Sequence, residues 1–200
     1  MKSTVAAVAV TAVLATGGAG AGVIAALPAS GSVAAQSATL LSATVPAQAL
    51  QPWPVLKQGL NSPWPKVTVR SLQYLLNAHG ARLAVNGTFG ATTKAAVAKF
   101  QRAHHLTADG VVRAKTWLAL IVTVHRGSKG PAVRAVQDQI NFRNNRNGHT
   151  LNVDGVYGPR TQAAVRAFQQ AMAHQIHGFH VDGIVGAQTW QALVTEALSF

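Results

Sequence analysis

His174, His177 and His180 recur every third residue near the C-terminal end of the chain, a spacing with the materials for metal chemistry. A zinc site would need these imidazoles neutral and convergent, with a carboxylate or a further histidine beside them. Gly178 interrupts any continuous helix through the three, and Asp182 belongs to an Asp-Gly turn, so the pattern argues against a metal centre. The adjacent pair His104 and His105 is weaker still. Carboxylate-pair hydrolysis and oxygen-ligand calcium binding have little to work with, because the 200 residues hold 5 Asp+Glu against 17 Lys+Arg. The absence of cysteine removes disulfides, thiolate zinc sites and cysteine nucleophiles. No Ser-His-Asp order, HExxH helix, GxSxG elbow or phosphate-cradling glycine loop is present. The reading is of a protein that is not an enzyme and uses no metal or cofactor.

The elements that must position the remaining polar residues come from an internal repeat. VRSLQYLLN (69 to 77), VNGTFGATTKAAVAKFQ (85 to 101) and ADGVVRAKTWLAL (108 to 120) recur in order as VRAVQDQIN (133 to 141), VDGVYGPRTQAAVRAFQ (153 to 169) and VDGIVGAQTWQAL (181 to 193). Offsets of 64, 68 and 73 residues at the three blocks mean that the second copy carries two insertions. A short polar stretch, 122 to 131, joins the copies.

Each block reads as a helix preceded by a tight turn. Val69, Leu72 and Leu76 lie three and four apart; Ala96, Val97 and Phe100 form a stripe that Ala164, Val165 and Phe168 repeat. Trp117 pairs with Leu120, and Trp190 with Leu193. Gly158 and Pro159 fit a turn and a helix start. The Asp-Gly pairs at 109, 154 and 182, with Asn86-Gly87 as their fourth member, read as turns whose carboxylates cap backbone amides rather than as catalytic acids. The same register explains the glycosylation-like Asn86-Gly87-Thr88. Phe89, Phe100, Trp117, Tyr157, Phe168 and Trp190 sit beside Ala, Val and Leu at equivalent positions and are expected in the core, not on a sugar-stacking platform. Trp53 and Trp64, flanked by prolines, fall outside the repeat and are expected to be exposed, interdomain, or stapling the N-terminal arm to the first bundle. The expected fold is all-α: two tandem three-helix modules, 53–121 and 126–196, after an N-terminal signal segment. A module of that size buries only about 60% of its unfolded surface and is marginal alone, which favours packing of the copies against each other.

Residues 1–49 read as that signal and a low-complexity tail. Lys2 is followed by the apolar run VAAVAVTAVLA (5 to 15), with small residues before two cleavage positions, after Ala35 and after Ala49; the second is preferred because packable sequence begins only beyond it. An uncleaved membrane anchor is the alternative, but the glycines of 17 to 22 weaken the run and no basic stop-transfer group follows. Stable membrane insertion after cleavage is not expected. The net charge of +12 belongs almost wholly to the rest of the chain and favours polyanionic partners. For an exported protein those are wall polymers rather than nucleic acid.

The motifs VRxxQ, VDGxYGPxTxxAVxxFQ and VDGxVGxxTWxAL of the second copy, with GSKGPAV (127 to 133) ahead of them, resemble the three-helix peptidoglycan-binding domain. The resemblance covers about residues 53 to 195. The first copy departs from the pattern: Asn86 stands for the turn Asp, Arg113 for the glycine found at 186, and NSPWP (61 to 65) for the glycine-rich lead-in. The resemblance implies noncovalent recognition of peptidoglycan at its muramyl-peptide portion. It points to a secreted, wall-associated protein, with anionic wall polymers or a separate cell-wall hydrolase as further partners. Family members normally target an attached enzyme, and none is expected here. The polar positions beside the motif turns, Arg160 and Gln162 in the second copy and Thr92 and Lys94 in the first, are the candidate ligand contacts.

Overall fold

The stripe Val69, Leu72, Leu76 in the first helix is buried as the spacing predicts, but so are Val67, Ser71 and Leu75 on its other side. A helix buried on two sides has to lie between two layers. In the computed structural model, which describes residues 49–59, 66–144 and 151–195, this helix packs on its own module with one face and on the equivalent helix of the second copy with the other. The apolar run, the cleavage position after Ala35, Trp64 and the segment 61 to 65 lie outside the described residues.

Six helices run in order among the described residues: α1 (Lys66–Ala78), α2 (Ala91–Ala103) and α3 (Ala114–Leu120) in the first copy, α4 (Pro131–Asn144), α5 (Pro159–Gln175) and α6 (Ala187–Thr195) in the second. Three isolated antiparallel bridges accompany them, Leu56 with Val112, Val124 with Val185 and Lys129 with Val156. The all-α expectation and the doubled three-helix pattern are both met.

The α1–α4 contact joins the same element of each copy. Ser71 and Ala135 occupy matching positions and are both fully buried. Gln139 donates to the Ser71 hydroxyl at 2.9 Å, and Arg70 grips Asp138. At the position matching Asp138 stands Tyr74, within the field of Arg134, which matches Arg70; burial and the Asp138 carboxylate together raise the Tyr74 phenol above its ordinary pKa.

Phe100, Trp117, Tyr157, Phe168 and Trp190 are in the core as expected, whereas Phe89 is only partly buried and packs against its edge. Trp117 and Trp190 are completely buried, and each spends its indole N–H on a carbonyl in the extended segment leading into its own copy, Pro54 and Val122 respectively, both at 2.8 Å. The stretch joining the copies is thereby built into the second one, with Val124 buried and paired to Val185. Trp53 stacks on Trp117 with ring centroids 5.9 Å apart, so it staples the arm to the first bundle. Tyr157 is buried, donates its hydroxyl to the Gly183 carbonyl at 2.8 Å, and is pushed far above the usual phenol range by that burial.

Candidate functional site

Four buried glutamines organise the turns on which the candidate contacts sit. Gln73 donates to Asn86 Oδ1, the Thr88 carbonyl and the Thr93 hydroxyl, and its own Oε1 accepts from Gly87 N–H at 2.9 Å. Gln137 does the same with Asp154, Val156, Thr161 and Gly155; Gln169 with Asp182, Ile184, Thr189 and Gly183. Gln101 closes the series with Asp109, Val111, Thr116 and Gly110. A glutamine amide is one of the few side chains that can donate and accept at once, which is what a buried turn with both polarities needs.

The turn carboxylates are structural, as the Asp-Gly reading expects. Asp109, Asp154 and Asp182 accept from the backbone N–H two residues on, at 2.9, 2.8 and 2.8 Å, and Asn86 does likewise at 2.9 Å. These backbone bonds are the main reason that Asp109 and Asp154 hold their carboxyls below the ordinary range; Arg113 adds to the effect at Asp109 and Gln137 at Asp154. The departures of the first copy at Asn86 and Arg113 leave this geometry intact. Arg113 at the start of α3 is fully extended (φ −125°, ψ −179°), a conformation open to any residue, and its guanidinium pairs with Asp109 at 2.6 Å.

Arg160 and Gln162 are not brought together. Two residues apart in the first turn of α5, they diverge by about 200° around the helix axis. Arg160 is exposed and lines a cleft of about 470 Å³ with Leu151, Asn152, Asp154, Val156 and Pro159. Gln162 is half-buried and packs over the Gly183 turn, where a Cβ would meet its Cγ at 3.1 Å. Lys94, its counterpart, covers the Gly110 turn in the same way, and Thr92, the counterpart of Arg160, is exposed at the start of α2. His174, His177 and His180 are exposed, while Ile176 and Phe179 between them are buried and anchor the insertion. Among the described residues, no three His, Asp or Glu side chains gather as a metal-holding group.

A second groove, of about 480 Å³, opens in the first copy between the end of α1, the loop after it and α2. Leu76, Ala96 and Phe100 form its apolar floor; His79, Arg82, Lys99 and His104 line its rim. Phe100 makes an edge contact with His79 (4.9 Å between centroids) and lies tilted against His104 (4.1 Å). At the matching positions of the second copy His79 becomes Arg143, Lys99 becomes Ala167 and His104 becomes Met172. Arg143 lies over the Phe168 ring, 5.6 Å from its centroid, and Met172 is buried. Sequence reasoning missed this groove. The signal was the set of polar positions at which the otherwise matching copies disagree.

The model of the peptidoglycan binding domain family matches residues 66–120 and 129–193, one match per copy and together more than half of the chain. The chain belongs to the peptidoglycan-binding domain family. It is 27% identical over 153 residues to N-acetylmuramoyl-L-alanine amidase CwlL of Bacillus licheniformis, covering 70% of this chain and 38% of that protein. It is 39% identical over 71 residues to the zinc D-Ala-D-Ala carboxypeptidase of Streptomyces albus G, covering 36% of this chain and 26% of the carboxypeptidase. The match therefore spans well under half of either relative's length. Among solved structures, the Burkholderia AP3 phage endolysin is similar at 35% identity over 37% of this chain and 25% of the endolysin, with a TM-score of 0.30.

Proposed function

We propose that the protein is a secreted, noncatalytic binder of bacterial cell-wall peptidoglycan, in which residues 1–49 direct export and modules 53–121 and 126–196 bind. The observation that carries this reading is the doubled family domain, whose two matches take in five of the six helices whole and the sixth up to Leu193. The two curated relatives support the same polymer as ligand, because their names, N-acetylmuramoyl-L-alanine amidase and D-Ala-D-Ala carboxypeptidase, refer to its muramoyl and peptide parts. The absence of a triad, metal motif or paired-carboxylate arrangement in the sequence supports a binding rather than a hydrolytic role. Arg160, Gln162, Thr92 and Lys94 are the proposed ligand contacts beside the motif turns. Anionic wall polymers are secondary ligands, and a hydrolase acting on the same polymer is a proposed partner.

Two modules held in one compact unit present their sites at a fixed separation, so their combined binding depends on how that separation matches the polymer repeat. The net charge of +12 supports a second reading, general polyanion binding. Co-sedimentation with peptidoglycan stripped of its anionic polymers, at low and at physiological salt, separates the two. Retention at both salts is the expected result. Loss on stripping, or on adding salt, would replace specific recognition with charge attraction.

A further inference from the structure

The groove of the first copy has what a recognition site for a small acidic ligand requires, and its lining contains no acidic residue. Its volume of about 480 Å³ falls in the range of small-ligand sites. The floor is apolar, and the cations Arg82 and Lys99 border it together with the imidazoles of His79 and His104. His79 is fixed in place: its Nε2 lies 2.9 Å from the Leu120 carbonyl, which can only accept, so Nε2 carries the hydrogen. The ring contacts through Phe100 hold His104 beside it, with the two imidazole centroids 5.8 Å apart. A rim fixed in this way loses little freedom when a ligand arrives.

The second copy carries a different arrangement on the same backbone. Arg143 stands in the place of His79 and covers the Phe168 ring, and neither Ala167 nor Met172 supplies a charge. The repeat therefore preserves the core and the glutamine-held turns in both copies while the His79, Lys99 and His104 positions of this rim are filled differently in the second, as Arg143, Ala167 and Met172.

We propose that the groove of the first copy is a receptor for the free carboxylates of peptidoglycan stem peptides, and that the second copy does not share this role. The inference rests on the reading that the protein binds peptidoglycan. Within that polymer the glycan strands carry no net charge, so an acid-free, cationic groove is complementary to the peptide acids. Arg82 and Lys99 provide charge-assisted donors to them, and Phe100 with Leu76 takes up the aliphatic part of the stem.

Isothermal titration of the full protein with a soluble disaccharide bearing a tetrapeptide stem tests this, alongside the same compound with its carboxylates converted to carboxamides. The acid form is expected to bind at one site per chain and the carboxamide form about tenfold more weakly. A variant carrying both Arg82→Ala and Lys99→Ala is expected to bind the acid form about tenfold more weakly and to lose the discrimination between the two compounds. Both side chains are exposed, so the variant should keep the parent melting transition. Equal affinity for the two compounds, an unaffected double variant, or two equivalent sites per chain would each overturn the assignment. So would a glycerol-phosphate polymer competing as well as the stem acid. Sedimentation with stripped peptidoglycan but no binding of either compound would remove the groove and leave the wall-binding reading standing; failure to sediment would remove that reading itself.

Discussion

Arg70 of the first copy holds Asp138 of the second through two parallel bonds, Nε to Oδ2 at 2.6 Å and Nη2 to Oδ1 at 2.9 Å. The side chains are 31% and 17% exposed, so the pair is only partly screened by water, and its forked geometry is the strong kind for an arginine and a carboxylate. In a double-mutant cycle of Arg70→Ala and Asp138→Ala followed by denaturant unfolding, the expected coupling is about 1 kcal/mol. A coupling indistinguishable from zero would mean that the helix faces alone join the copies.

The same α1–α4 contact predicts how the molecule unfolds. Ser71 and Gln139 are completely buried and bonded to each other across the copies, which is costly unless both halves are folded. Calorimetry should show one cooperative transition for both copies, with calorimetric and van't Hoff enthalpies in agreement. Two resolved transitions would show the copies to be thermodynamically independent.

The helices and the aromatic core were legible because their information is periodic: Val69, Leu72 and Leu76, or Trp117 and Leu120, announce themselves by spacing and are buried as expected. The other face of α1 was not legible, because its central member is Ser71 and its partner is Gln139, polar residues whose burial depends on finding each other 68 positions apart. The glutamine network lay between these cases. Gly87, Gly110, Gly155 and Gly183 are each followed six residues on by a threonine that the glutamine amide also reaches, a half-repeat that comparison of whole copies passes over. The groove was hidden for the opposite reason: His79, Lys99 and His104 have no likeness in the second copy, so a search for similarity discards them.

Gln169 is fully buried and joins Asp182, Gly183, Ile184 and Thr189, and no smaller residue can replace those bonds. Gln169→Ala leaves the buried Gly183 N–H without its acceptor and opens a cavity between α5 and α6. The expected loss is about 3 kcal/mol in denaturant unfolding. A loss below about 1 kcal/mol would mean that water replaces the side chain without difficulty.

Gly87 and Gly90 stand three residues apart and should respond unequally to alanine. Gly87 has φ +74°, and a Cβ there would lie 2.9 Å from the backbone oxygen of Lys66, which cannot swing away as a side chain can. Gly90 is extended at φ −89° with nothing within 4 Å of its Cβ position. Gly87→Ala is expected to cost about 2 kcal/mol or more, and Gly90→Ala, which meets no clash but replaces the N-cap glycine of α2, about 1 kcal/mol or less. Similar melting temperatures for the two variants would contradict the turn geometry.

Acid should destabilise the protein through the turn carboxylates. Asp109 and Asp154 keep their charge to lower pH when folded, chiefly because backbone N–H groups bond the ionised form. The unfolded chain thus takes up protons first as pH falls, so the stabilisation is complete above the ordinary aspartate range of about pH 4 and is lost as pH drops through the lower folded values. Asn86 provides the built-in comparison: its uncharged Oδ1 makes the same bond to Thr88 N–H at 2.9 Å and is held by Gln73 as Asp154 is held by Gln137. Asp154→Asn should therefore keep the turn at neutral pH while reducing the loss of stability between pH 7 and about pH 3. Denaturant unfolding of parent and variant at both values measures this, and an identical acid dependence in the two proteins would assign the effect to other groups.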